Sequence, residues 1–231
     1  MKKKLISVFL SIILGLYMFC PAFASSPPET IPNGNPSFIF PSLKDGASAL
    51  STMSVSQLNS YISSVAQRDT AATSATASTT TAANLAVRPF EIRLVWYAAA
   101  LIVQKFGFPC AGTIVEHAAL GEDYMESNGL LARTIQTTQA FKNWVSNPTP
   151  PGEIYFSPSD SIDLYCSLRN ADVILTGSPS SSRIRFTDTF DFKPEFLTQP
   201  SIISAINDIA WLSQKIGALP EIEIQIDIVN R

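Results

Sequence analysis

The sequence predicts an α+β fold with N-terminal helices, then a mainly antiparallel sheet with a packed C-terminal helix and a final amphipathic strand. Between residues 85 and 145, apolar residues recur with helical spacing, and Gly121 and Pro148 end helical stretches. From residue 221, Glu221 to Ile228 alternates four isoleucines with polar residues, which is the pattern of a half-buried strand. Because helices and strands do not alternate along the chain, we expect an antiparallel rather than a parallel sheet.

The first helix is predicted from Ser54 to Gln67. Ser54 and Gln57 have the three-residue spacing of a capping box, in which each side chain bonds the backbone N–H of the other residue. An apolar stripe follows at helical spacing. Its members are Leu58, Tyr61, Ile62 and Val65.

The remaining elements follow from changes of period and from Pro and Gly signals. Helices are predicted at Pro89–Phe106, Ala111–Leu120 and Thr138–Val145, with a helical turn at Asp160–Leu168 and a helix at Pro200–Ile216. Strands are predicted at Glu153–Phe156, Ala171–Thr176 and Arg183–Phe190.

The chain divides into three predicted regions. Residues 1–24 read as a cleavable signal peptide: three lysines, an apolar run of about 15 residues and an Ala-x-Ala site, too short for the roughly 20-residue span of an anchor helix. Residues 25–84 hold a Pro-rich extended segment to residue 46, the first helix and an Ala/Thr/Ser linker over 69–84. Residues 85–231 form the globular domain. The expected location is secreted or extracellular.

Charge and motifs exclude several classes of function. The net charge is −3; removing residues 1–24 takes away three lysines and no acids, which leaves 13 basic against 19 acidic residues, a net charge of −6. An acidic domain is a poor match to phosphate backbones, so no nucleic-acid partner is expected. No apolar segment after cleavage reaches spanning length, so no stable membrane span is expected. No zinc, phosphate-loop or nucleophile motif occurs, and the sequence predicts no metal and no cofactor.

Two cysteines, Cys110 and Cys166, remain after the predicted cleavage. An even number of cysteines in an oxidising compartment indicates one disulfide bond between them. The alternative is two separate buried thiols.

The residues Asp188 and Asp191 are the first candidates for a catalytic site. They lie in Thr187-Asp188-Thr189-Phe190-Asp191-Phe192, where a continuous strand would place the two carboxylates on opposite faces. If the strand ends or bulges near Phe190, they could converge to bind a hard cation or to share acid and base roles. The alternative is a strand-end turn in which Asp191 caps backbone N–H groups.

His117 is the only histidine in the chain and is the candidate general base. It lies on a predicted helix among apolar residues, so a structural role is the alternative. A further polar cluster is interpreted as a solvated surface. It comprises Asp163, Tyr165, Arg169 and Asn170.

Several short segments together resemble uncharacterised exported domains of Gram-positive bacteria. They are Glu116–Leu120, Ile135–Phe141, Asp163–Leu168, Thr187–Phe192, Asn207–Ala210 and Ser213–Ala218. Similar domains stand at the C-termini of RHS-type, polymorphic-toxin-like proteins, and the resemblance covers about residues 110–229. Asp188-x-Phe190-Asp191 is also similar to the Asp-x-Tyr-Asp core of colicin-M-like enzymes, but Phe190 replaces the tyrosine and no His-Arg pair follows.

Two functions are therefore expected, and the sequence does not decide whether the protein is an enzyme. The first is a secreted effector or toxin-like domain acting on the cell envelope or a neighbouring cell, with Asp188, Asp191 and His117 as reactive groups. A toxin-like role would imply an immunity protein as partner. The second is a non-catalytic exported binding or surface-associated protein, which the absence of a complete catalytic motif favours.

Overall fold

The fold is taken from a computed structural model, which describes residues 39–74, 89–148, 150–177, 183–191, 213–215 and 217–229. The predicted signal peptide and the predicted boundary at residue 84 lie outside these residues and stay predictions. Among the described residues, no helix is both long and apolar enough to cross a membrane.

The helices and strands confirm the predicted α+β class. The helices are α1 (Leu43–Ser51), α2 (Val55–Ser74), α3 (Pro89–Lys105), α4 (Pro109–Leu120), α5 (Leu130–Thr137), α6 (Gln139–Ser146) and α7 (Ile162–Ser167). The strands are β1 (Tyr124–Ser127), β2 (Gly152–Tyr155), β3 (Asn170–Thr176), β4 (Arg183–Phe190) and β5 (Ile222–Val229). Residues 213–215 are also helical.

The chain forms two compact units. The first contains, among the described residues, 39–74, 89–95, 213–215 and 217–218, and the second contains 96–148, 150–177, 183–191 and 219–229. Helix α3 contributes residues to both units.

The first unit is built on α1, α2 and the beginning of α3. Ser54 and Gln57 form the predicted capping box: the Ser54 N–H donates to Gln57 Oε1 at 2.8 Å and the Gln57 N–H to Ser54 Oγ at 3.3 Å. Gly46 lets α1 approach α3, since a Cβ at this position would overlap the Leu94 side chain. The predicted apolar stripe of α2 is buried in full; it comprises Leu58, Tyr61, Ile62 and Val65.

Two expectations for this region are wrong. Helix α1 begins at Leu43, inside the segment predicted to be extended, because the Ser42 side chain accepts the Asp45 N–H at 3.2 Å and caps the helix. Helix α2 continues to Ser74, so the predicted linker is helical over residues 69–74. Ala71 and Ala72 are strong helix formers, which is consistent with this extension.

The second unit contains a five-stranded sheet with the order β1-β5-β4-β3-β2. Strand β1 runs parallel to β5, and every other pair is antiparallel. The predicted bounds of β4 are confirmed, and the alternation in β5 buries its four isoleucines on one face. Helices α5 and α6 pack on β5 and β2 respectively, and α4 packs on α7.

The two outer strands of the sheet are short. Strand β1 was not predicted, and it has four residues, as β2 does. The pairing of β5 is extended beyond β1 by side chains: the Glu223 N–H donates to Asp123 Oδ1 at 2.9 Å, and the Val229 N–H to Asn128 Oδ1 at 3.0 Å. A cis peptide bond joins Pro150 to Pro151 immediately before β2.

Candidate functional site

His117 lies in the last turn of α4. The helix ends there because Gly121 adopts a left-handed conformation with φ of 74° and donates its N–H to the His117 carbonyl at 2.8 Å. The imidazole packs edge-on against Tyr124, with ring centroids 4.9 Å apart and an interplanar angle of 85°. The buried His117 Nδ1 has no hydrogen-bond partner in the described part of the chain. Buried polar atoms are rarely left so, which makes His117 the most unusual of the candidate residues.

Tyr124 connects His117 to a carboxylate. Its hydroxyl donates to Glu126 Oε2 at 2.6 Å, and Glu126 Oε1 accepts the Ala132 N–H at 2.5 Å in the first turn of α5. Burial and the adjacent Glu126 carboxylate raise the pKa of Tyr124 well above its ordinary value, so the phenol stays protonated and donates. A Cβ at Gly129 would overlap the Glu126 side chain, so only glycine at this position leaves room for the Glu126 carboxylate.

Asp188 lies on the same face of the sheet as Tyr124. Asp188 is paired with Ile224 across β4 and β5, and Tyr124 is paired with Ile224 across β1 and β5. Paired residues on neighbouring strands point to one face, and the face of Ile224 is the buried one. The register therefore aligns Asp188, Ile224 and Tyr124 in a row, with the Cα atoms of the outer two about 10 Å apart.

Asp191 follows the end of β4. The strand ends at Phe190, as the sequence predicted, and the Asp191 N–H donates to the Thr189 carbonyl at 2.8 Å in a tight turn. Phe190 is buried, whereas Thr189 and Asp191 are exposed. The structure thus places His117 and Asp188 on one side of the sheet, where Tyr124 stands next to His117, and it places Asp191 in the exposed turn beyond the strand.

The predicted disulfide between Cys110 and Cys166 is wrong for this structure, in which both thiols are free. The reason is direction: Cys110 is buried and its Sγ lies 3.5 Å from Thr134 Oγ1 on α5, whereas Cys166 is exposed on α7. Burial raises the pKa of the Cys110 thiol to about 12, and the charge of Asp163 adds to this effect. Although Cys166 is exposed, desolvation of its thiol and the charge of Asp163 raise its pKa too. Neither thiol is an activated nucleophile.

Asp163 has a structural role that the sequence did not reveal. Its Oδ2 accepts the Cys110 N–H at 2.9 Å, and its Oδ1 accepts the Ala111 N–H at 2.8 Å. Phe108 precedes α4 without a side-chain cap, so Asp163 supplies the cap from 53 residues away.

The other members of the predicted polar cluster also make contacts with neighbouring residues. The Arg169 guanidinium lies 5.4 Å from the centroid of the Tyr165 ring, and Asn170 Nδ2 donates to Glu153 Oε1 at 2.6 Å across β2 and β3.

An ion-pair cluster that the sequence did not predict lies on the described part of the sheet. Asp227 on β5 bonds Arg185 through both carboxylate oxygens, at 2.8 Å and 3.1 Å, and Arg183 Nη1 at 2.9 Å. The Asp227 side chain is 6% exposed, and these bonds hold the pKa of its carboxyl below the usual value. The alternation in β5 places Asp227 among the polar residues. The sequence alone did not show which residues of β4 lie opposite Asp227, so the ion pairs could not be predicted.

No group of three or more His, Cys, Asp or Glu side chains that could hold a metal ion occurs within the residues that the structure describes. Comparison with family models, curated proteins and solved structures finds no match for this chain.

Proposed function

We propose that the chain is a secreted bacterial protein of the effector or toxin-like type, which acts on the cell envelope or on a neighbouring cell. The export pattern of residues 1–24 and the resemblance to exported RHS-type domains support the proposal. The observation that carries it is the row of Asp188, Ile224 and Tyr124, because the ring of Tyr124 contacts His117. The Asp188 carboxylate and the His117 imidazole, the only imidazole in the sequence, therefore lie on the same side of the sheet.

The roles follow from the chemistry of these groups. The His117 imidazole is half-buried, and because its Nδ1 is buried it would accept a proton from a substrate through Nε2. A carboxylate on the same side can orient a substrate or stabilise positive charge. Asp191, in the exposed turn after β4, is the second carboxylate, and we assign it to substrate contact rather than to proton transfer. A toxin of this kind would need an immunity protein in the producing cell.

The test measures growth inhibition by the protein recovered from the culture medium of a bacterial host. We expect wild-type protein to inhibit bacteria with weakened envelopes, and we expect Asp188→Asn and His117→Gln each to lower this effect at least about a hundredfold. Asp172→Asn is the matched control, since Asp172 is an exposed carboxylate on neighbouring strand β3. Thermal unfolding of each variant verifies that the fold persists. Lack of inhibition by the wild type, or full activity of both variants, would contradict the proposal.

One observation favours a second function, a non-catalytic exported binding or surface-associated protein. Several carboxylates of the second unit accept hydrogen bonds from backbone N–H groups or hydroxyls, among them Glu126 from Ala132 and Tyr124, Asp163 from Cys110 and Ala111, and Asp160 from Ser157. Carboxylates with such partners stabilise the fold and are not available for catalysis. If this function is correct, the protein cosediments with bacterial envelopes, and the Asp188 and His117 variants bind as wild type does.

A further inference from the structure

Asn128 occupies the turn between β1 and α5, and its side chain is directed to the end of β5. Its Oδ1 accepts the Val229 N–H at 3.0 Å, and its Nδ2 donates to the Val229 carbonyl at 3.4 Å. The backbone of Asn128 is left-handed, with φ of 53°, and its N–H donates to the Asp227 carbonyl at 2.9 Å. The amide of this side chain therefore completes the pairing of β1 with β5.

The residue that follows is Gly129, and asparagine before glycine has a specific reactivity. The glycine amide nitrogen attacks the asparagine Cγ, the Cγ–Nδ2 bond breaks, and ammonia leaves with the proton from the glycine nitrogen. Water then opens the resulting succinimide at either carbonyl and gives aspartate or isoaspartate. Glycine favours the ring because it has no Cβ to hinder the attack.

The contacts of Asn128 oppose this reaction in the folded chain. The five-membered ring forms only when Cγ swings onto the Gly129 nitrogen, and this movement breaks both hydrogen bonds to Val229. The reaction therefore needs local opening of the β1–β5 edge. Asp123 holds the other end of β1 through the Glu223 N–H, so it contributes to keeping this edge closed.

We infer that Asn128–Gly129 is a deamidation site that the pairing of β1 with β5 protects from reaction. When this pairing opens locally, Asn128 deamidates, and the covalent product persists after the opening. The change also hinders reclosure. A carboxylate at residue 128 has no N–H for the Val229 carbonyl and repels it, and isoaspartate adds a methylene group to the backbone between β1 and α5. The site is independent of the proposed activity.

The experiment follows deamidation at residue 128 by peptide mapping in ¹⁸O-labelled water at mildly alkaline pH. The full chain is compared folded and unfolded in urea, and Asn33–Gly34, the other Asn-Gly dipeptide, calibrates the unfolded sample. We expect residue 128 to react at least about tenfold more slowly in the folded chain, the scale of a local opening equilibrium.

Two variants test the role of the edge. Asp123→Ala removes the acceptor of the Glu223 N–H without touching Asn128, and Glu122→Ala changes the exposed neighbouring residue as a matched control. We expect Asp123→Ala to speed the reaction in the folded chain and Glu122→Ala to leave it unchanged. Equal rates in folded and unfolded wild type overturn the inference, as does an Asp123→Ala rate no higher than that of Glu122→Ala. If Asp123→Ala does not fold, the wild-type comparison decides alone.

Discussion

The Tyr124 hydroxyl donates to the Glu126 carboxylate at 2.6 Å, two residues along the same short strand. Because the pair lies on the buried face of β1 and Glu126 also accepts the Ala132 N–H, it ties the strand to the start of α5. The Tyr124–Glu126 pair therefore couples the position of the Tyr124 ring, which contacts His117, to helix α5.

Tyr124→Phe removes the donor and leaves the ring against His117. We expect the free energy of unfolding to fall by about 1.5–3 kcal/mol, the net contribution of a hydrogen bond to a charged acceptor. A double-mutant cycle with Glu126→Gln in urea should show a coupling of similar size. Tyr155→Phe is the control, because Tyr155 is half exposed and its loss of a hydroxyl should leave stability unchanged. Additive effects of Tyr124→Phe and Glu126→Gln would mean that the pair contributes nothing.

Asp163→Ala leaves the Cys110 and Ala111 N–H groups at the start of α4 without their acceptor. We expect a loss of about 1–2 kcal/mol in the free energy of unfolding, the scale of a lost helix cap. Chemical denaturation measures it, and Asp172→Ala is the control for removing one negative charge, because the Asp172 side chain on β3 is exposed. A loss no larger than that of Asp172→Ala would show that the cap is dispensable.

Asp227 makes stability depend on pH. Its folded pKa lies below the ordinary carboxyl value of 3.8, so its ion pairs stabilise the fold above that value, and this stability is lost as the pH falls through the folded pKa. We expect Asp227→Asn to cost about 2 kcal/mol at neutral pH, less than for a fully buried pair because Arg183 and Arg185 are 42% and 30% exposed.

The measurement is the urea midpoint of wild type and Asp227→Asn at several pH values. The difference between them should be constant near neutral pH and shrink in acid, where the wild-type carboxyl becomes protonated. A difference that does not change with pH would contradict a role for the Asp227 charge.

The two cysteines should differ in their reactivity toward iodoacetamide. The thiolate is the reacting form, so the Cys110 pKa of about 12 together with its burial predicts no modification in the folded chain. Cys166 is exposed and should react first, although slowly at neutral pH because its pKa is raised. Peptide mapping of folded and unfolded protein, with and without prior reduction, gives both rates. Cysteines that react only after reduction would establish a bond that this structure does not have.

Local patterns allowed most of the helices and strands to be predicted, because their signals lie within a few residues. The Ser54–Gln57 capping box and the alternation in β5 are of this kind. Strand β1 was missed because four residues carry too little alternation, and its partner β5 lies about a hundred residues away. Without β1, the contact between His117 and Tyr124 could not be foreseen.

The same limit explains the errors in the candidate site. Asp163 belonged to a cluster interpreted as solvated, because nothing near it in the sequence indicates that it caps α4 from another helix. The disulfide was predicted from an even number of cysteines in a chain predicted to be exported, and that number contains no information on side-chain direction.

The short outer strands determine how little backbone the sheet offers to other chains. Among the residues that the structure describes, one side of the sheet offers the four residues of β1, and the side chains of Asp123 and Asn128 already bond the N–H groups of β5 on either side of them. At the other side, Pro150 and Pro151 precede the four residues of β2 and have no N–H to donate. A fibril or a swapped dimer grows by adding strands along such edges, and short edge strands of this kind offer few backbone groups for that addition.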